Sequence, residues 1–209
     1  MTRLAQLLSI GALCACGAAM SRPADNAPKL DPGPIRPPSV LGFDFQWRQR
    51  VTATWPSGSR SFDAVLQKRS GELVLLGLNP MGMPGFVLRL RENGAVEVEN
   101  RTGHELPFQP EYILADVERV FFPWLPPVPA AFSGERRGRY EQLGITELFD
   151  RGQLLSRSFE RFDAPGRGAV RITYRPAKPN PDDAPPKVSV ENAWFGYRLE
   201  IETFEQSRL

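Results

Sequence analysis

The sequence predicts a mainly β protein: an open antiparallel half-barrel of about ten or eleven strands, with one or two helices and helix filling the concave face. Three observations lead there. From residue 41 onward most of the chain alternates apolar and polar side chains with period two. Short turn sequences punctuate the alternation, so successive strands pair antiparallel. One Pro-bounded stretch switches to helical spacing, and it supplies a plug for the apolar hollow that a curled sheet leaves.

The first strand is FDFQWRQRVTATW, residues 43–55. It sets Phe43, Phe45, Trp47, Val51, Ala53 and Trp55 on one face, with Gln46, Arg48, Arg50, Thr52 and Thr54 on the other. PSGS is a turn, and SFDAVLQKR follows with Phe62, Ala64 and Leu66 aligned. SG turns the chain into ELVLLGL, then into the tip NPMGMPG. GFVLRLRENG aligns Phe86, Leu88 and Leu90, and AVEVEN completes the meander. The segment LPFQPEYILADVERVFFPWLPP breaks the pattern. Pro110 suits a first helical turn, Ile113, Leu114, Val117, Val120 and Phe121 recur at helical spacing, and Pro123 ends the run. Strands resume at GRYEQL and ITELFD, turn at RGQ, and continue through LLSRSFERFD. AVRITYRP aligns Val170, Ile172 and Tyr174. A Pro-rich loop, AKPNPDDAPP, precedes KVSVEN, and GYRLEIETFEQ closes the domain with Tyr197, Leu199, Ile201 and Thr203 on one face.

Ahead of this domain, which spans 41–209, two segments read differently. MTRLAQLLSIGALCACGAAM has a short basic start, an apolar run too short to cross a bilayer, and then small residues, which is the layout of an export signal over residues 1–15. The chain has two cysteines, Cys14 and Cys16, so no disulfide framework or cysteine metal site is available to the domain. Residues 16–40 are rich in Pro and poor in large apolar side chains. They read as a semi-extended tether, rising about 3.1 Å per residue where polyproline-like. No segment after the signal reaches membrane-spanning length.

Cys16 stands in Leu13-Cys14-Ala15-Cys16, which resembles the lipobox of bacterial lipoproteins. Cys14 fits that pattern less well, because Leu13 is bulky where a small residue belongs. The resemblance implies a diacylglycerol on the Cys16 thiol, cleavage after Ala15 and, with Gly17 rather than Asp following, an outer-membrane destination facing the periplasm. An ordinary cleaved signal with incidental cysteines is the alternative. Each buried CH2 of an acyl chain contributes about 0.8 kcal/mol, so two or three chains hold permanently where one holds reversibly. The lipobox, the tether, the meander WPSGSRSFDAVLQKRSGELVLLGLNPMGMPGFVLRL, the helix EYILADVERVFFPW and the closing VSVENAWFGYRLEI together resemble an uncharacterised bacterial lipoprotein family. That family is associated with aryl-polyene gene clusters and is distantly similar to the lipoprotein carrier and receptor proteins LolA and LolB. The resemblance spans about residues 43–204. It implies the open half-barrel, lipid-like cargo and a periplasmic carrier protein as partner, with the chain acting as a monomer.

Composition narrows the chemistry. The 26 Lys+Arg against 24 Asp+Glu give no basic surplus for nucleic acid. The single histidine, His104, sits in RTGHELP, a turn-like setting that suits solvation better than catalysis. Asp182 and Asp183 fall in the Pro-rich loop, too few for calcium, which takes six or more oxygens. There is no nucleophile elbow and no phosphate loop, so the chain reads as a non-enzyme that requires no cofactor. An exported hydrolase is the remote reading. The 13 Phe and four Trp supply a large aromatic surface. Most of it serves as core. Trp47, Phe86, Phe121, Phe122 and Trp124 are the candidates for lining a hydrophobic ligand. Met81 and Met83, on the tip, are candidates for touching a membrane, since thioethers enter an apolar interface without demanding one geometry. The alternative is that both fold back on the sheet edge. Two functions follow: a membrane-tethered carrier or receptor for an acyl chain or other lipid-like group, or an interaction lipoprotein whose barrel is filled.

Overall fold

The computed structural model describes residues 31–103, 109–178 and 183–209. Cys14, Cys16, His104 and Asp182 lie outside the described residues. Eleven strands make one antiparallel sheet: β1 (Phe45–Trp55), β2 (Gly58–Arg69), β3 (Glu72–Leu78), β4 (Pro84–Leu90), β5 (Val96–Asn100), β6 (Gly134–Tyr140), β7 (Leu143–Asp150), β8 (Gln153–Arg161), β9 (Ala169–Lys178), β10 (Lys187–Asn192) and β11 (Tyr197–Arg208). Their spatial order is β5-β4-β3-β2-β1-β11-β10-β9-β8-β7-β6, so β5 and β6 are free edges and the sheet does not close. Among the described residues there is one α-helix, α1 (Pro110–Phe121), and it joins the two edges in sequence.

The registers sort the side chains into two faces. Trp47 lies opposite Leu66, Leu66 opposite Leu75, and Leu75 opposite Leu88, which makes one continuous apolar row. On the other side of β1, Val51 faces Ile201, Ile201 faces Val188, and Val188 faces Tyr174. This is the buried face, with α1 against it. Of the predicted stripe, Leu114, Val117, Val120 and Phe121 are buried and Ile113, in the first turn, is half-buried. Pro110 sits in the first turn and the helix stops before Pro123.

The last carbonyls of a helix lack internal partners, and burying them unpaired is costly. Here side chains pair them. The Trp124 indole N–H donates to the Glu118 carbonyl at 3.0 Å, and the Tyr174 hydroxyl donates to that of Val120 at 2.9 Å. The Arg157 guanidinium donates to the carbonyls of Arg119 and Phe122 at 2.7 and 3.0 Å. A cation at the carbonyl end also opposes the helix dipole.

The structure departs from the sequence reading in three places. Gln49 shares the buried face with Trp47 and Val51, its amide donating to the Thr203 hydroxyl at 3.1 Å. The stretch read as GRYEQL is two elements, because Glu141 takes a left-handed turn conformation (φ 49°) between β6 and β7. Residues 31–40, read as part of the tether, are docked on the polar side of α1. The Arg36 backbone N–H donates to both Glu118 carboxylate oxygens, at 3.1 and 2.9 Å, and its guanidinium donates to the Pro123 carbonyl at 3.0 Å. Arg119 donates to the Pro32 carbonyl and Arg161 to that of Asp31. Asp116, Glu118 and Arg119 are therefore buried as thoroughly as the apolar stripe.

Candidate functional site

The two ends of the sheet differ. At one end the β3–β4 turn projects Met81 and Met83, 77% and 53% exposed. The turn is stiff. The Asn79 side-chain carbonyl accepts the backbone N–H groups of Met81 and Met83, both at 3.0 Å, and Gly82 takes φ +77°, which favours glycine. Beside the tip lies an open space of about 740 Å³. Phe86 reaches it, but so do Arg48, Arg50, Arg60 and Asp63. Arg50 pairs with Asp63 at 2.9 Å, and Arg48 with Glu205 at 3.1 Å.

The opposite end holds a hollow of about 330 Å³, bounded by the start of β1, the carbonyl end of α1 and the β7–β8 hairpin. Phe121 and Phe122 form its inner wall, and Phe43, Leu125, Val128 and Phe149 close around it. Gly138 lets Leu125 lie flat on β6: a Cβ there would meet the Leu125 side chain at 2.3 Å.

One part of this wall is charged. Glu147, on β7, is 1% exposed and sits between two arginines. Arg157 of β8 donates to it at 2.7 Å and Arg136 of β6 at 2.5 Å. Burying a carboxylate is tolerable only when it is paired and hydrogen-bonded, and both oxygens are. The Arg136 Nε is buried and has no hydrogen-bond partner among the described residues.

A second buried polar group lies behind the hollow. Burial pushes the Glu118 carboxyl up to about 7, against the lowering pull of the Arg36 N–H and of the Arg36 and Arg119 charges. Desolvation lowers the Arg36 guanidinium in turn. That guanidinium lies 3.9 Å over the Trp124 ring, a cation–π contact. On the far flank of the helix Asp116 accepts from Arg119 at 2.7 Å, from Asn192 at 3.2 Å and from the Tyr197 hydroxyl. Burial, with Asp116 beside it, raises Tyr197 well above the ordinary phenol range.

The five aromatic candidates thus separate. Phe121 and Phe122 share the hollow, and Phe86 borders the space at the other end. Trp47 stacks on Phe45 at 3.8 Å and leans on Phe121, while Trp124 is bound to the helix terminus; neither lines either space. Among the described residues no three His, Cys, Asp or Glu side chains are grouped to hold a metal, and no helix is long and apolar enough to cross a membrane.

A family model for proteins of unknown function matches residues 46–205, from the first strand to the last. The chain belongs to the DUF3261 family. Three solved structures are similar to this DUF3261 chain at low identity. One is a domain named as an outer membrane lipoprotein-sorting protein, from Vibrio parahaemolyticus, with TM-score 0.48, 9% identity, and 82% of this chain and 92% of that chain covered. Another is a LolA superfamily protein from Nitrosomonas europaea, with TM-score 0.46, 10% identity, and 81% and 91% covered. A third is a DUF1329 family protein from Desulfovibrio piger, with TM-score 0.41, 11% identity, and 81% and 88% covered. No curated protein matches the DUF3261 chain significantly.

Proposed function

We propose that this chain is a non-enzymatic, outer-membrane-anchored lipoprotein, held through Cys16 and facing the periplasm, whose domain binds a hydrophobic group for transport or insertion. The group is an acyl chain of a lipoprotein or another lipid-like molecule. The observation that carries the reading is the hollow at the carbonyl end of α1, lined by the half-buried Phe43, Leu125, Val128 and Phe149 with the buried Phe121 and Phe122 behind them. Its volume, about 330 Å³, falls within the range of ligand pockets, about 300–1,000 Å³. The lipobox-like Cys16 supplies the anchor, and the exposed Met81 and Met83 supply a surface for touching the bilayer from which the group is taken or to which it is given. The domain works as a monomer that meets a periplasmic carrier, and it engages no nucleic acid.

A specific observation favours the second reading, an interaction lipoprotein with a filled barrel. Phe45 and Trp47 stack on the central strand and meet Phe121, while Trp124 packs edge-on against Tyr140 and Phe159, and Phe45, Trp47 and Trp124 are all buried.

One assay separates the two: transfer of a fluorescent acyl ester from vesicles to the chain lacking its acyl anchor. Val128→Trp, filling the hollow from its rim, should reduce the amount of ester bound. Met81→Glu with Met83→Glu should slow transfer while leaving the final amount unchanged. A wild-type chain that takes up no ester would remove the carrier reading in favour of the filled barrel, and a Val128→Trp variant that takes up as much as wild type would remove the hollow as its binding site.

A further inference from the structure

We infer that the hollow is built for an amphiphile with one acyl chain and an anionic head, a free fatty acid in chemical class, with Arg136 receiving the carboxylate. The inference rests on the carrier reading above and narrows it, since a chain esterified on a lipoprotein has no such head.

Three ionised side chains stand together on the wall: Arg136, Glu147 and Arg157. Glu147 neutralises one of the two arginines, so one positive charge is in surplus. Arg157 is the arginine already committed. It is 6% exposed, its Nε holds Glu147, and its Nη1 serves the carbonyls of Arg119 and Phe122. Those carbonyls carry the negative end of the helix dipole. The surplus therefore falls on Arg136. Its side chain is 22% exposed against 6% for Arg157, and it lines the hollow with one terminal nitrogen on Glu147 and the other on the Pro126 carbonyl. An anionic acceptor makes the stronger kind of hydrogen bond with a guanidinium.

The surroundings match the rest of such a molecule. Arg136 also leans on the Phe149 ring, 5.3 Å from its centre. From there the wall turns apolar through Leu154, Phe121 and Phe122. A volume of about 330 Å³ is at the small end for ligand pockets, which suits one chain rather than two or three. The other charged groups near this end are engaged elsewhere. Arg36 lies over Trp124 and bonds Pro123, and Glu118 accepts from the Arg36 backbone. Neither lines the hollow.

The test uses the full-length chain in phosphatidylcholine nanodiscs and two photoactivatable probes, a sixteen-carbon-type fatty acid and its methyl ester. Labelling of the peptides carrying Phe121, Phe122 and Phe149 is quantified by mass spectrometry. Wild type should take the acid over the ester by about tenfold or more, which corresponds to about 1.4 kcal/mol. Arg136→Met should label equally with both, at the wild-type ester level, and Arg136→Lys should restore part of the preference. Equal labelling of wild type by acid and ester overturns the anionic head and leaves the carrier reading standing. An undiminished preference in Arg136→Met overturns the role of Arg136. No labelling by either probe overturns both the head and the carrier reading. The wild-type comparison needs no variant, so it decides the question even where Arg136→Met fails to fold.

Discussion

The two ends of the sheet break the usual segregation of polar and apolar groups in opposite directions. The tip end puts apolar side chains outside, Met81 and Met83 standing on a turn stiffened by Asn79. The helix end puts charge inside, Glu147 and Arg157 lying between a helix terminus and an apolar hollow. An exposed apolar residue is ordinary, and so is a buried ion pair with all its hydrogen bonds made. In the proposed function the two inversions divide the work, one end meeting a surface and the other enclosing a molecule.

The largest expected effect breaks the helix end. Arg157→Met leaves Glu147 with Arg136 alone and uncovers the carbonyls of Arg119 and Phe122, so it should cost about 3–5 kcal/mol in denaturant unfolding. A loss under about 1 kcal/mol would mean that the cluster does not hold this end together.

A matched pair of glycines sharpens the comparison. Each end has a glycine beneath a side chain laid flat on the sheet. A Cβ on Gly77 would fall 2.0 Å from the rigid Phe86 ring, whereas one on Gly138 meets only the end of the flexible Leu125. Gly77→Ala should therefore destabilise by about 1–3 kcal/mol, and Gly138→Ala by less than about 1 kcal/mol. The reverse ranking in thermal unfolding would show the hollow to be the more tightly packed end.

The third prediction concerns titration, which belongs to the helix end and its docked segment. Glu118 is raised from 4.5 to about 7, so the folded protein binds its proton more tightly than the unfolded chain does. By linkage the stabilising contribution is fully present below about pH 4.5 and is lost as pH rises through about 7. Between pH 5 and 7.5 wild type should lose on the order of 1–3 kcal/mol through this group. Glu118→Gln should flatten that slope, followed as the urea midpoint across the window. The carboxylates whose values are lowered, Asp44, Glu97, Asp163 and Glu202, act at lower pH and leave the window clear. An identical slope in wild type and Glu118→Gln would contradict the burial of this carboxylate.

The same contrast explains what the sequence made legible. The strand after the tip could be read because Phe86, Leu88 and Leu90 fall on the buried face as their spacing says, although Val87 between them is buried too. The helix could be read from Ile113 to Phe121 and the prolines around it. The charged wall could not. Counting back from the Arg151-Gly152 turn puts Glu147 opposite Ser156. The extra residue Leu155, at the bulge in the β7–β8 ladder, moves Arg157 into that place instead. A shift of one residue exchanges the two faces of a strand, so the pairing was hidden by a bulge with no signature of its own. The docked segment was hidden for another reason. Its four prolines each remove a backbone donor, which reads as a free spacer, yet the N–H of Arg36 finds Glu118 from 82 residues away. Asp116, Glu118 and Arg119 then look like a solvent face in any helical projection although Pro32, Arg36, Asn192 and Tyr197 cover them.

The most direct measurement of the account is native mass spectrometry of the full-length chain, extracted gently from its own membranes, beside the Val128→Trp variant. The account predicts a noncovalent adduct of one lipid-like mass on wild type, lost on mild activation and absent from Val128→Trp. Wild type carrying no adduct, or a variant carrying the same one, would contradict the claim that the hollow beside Phe121 and Phe122 is a binding site.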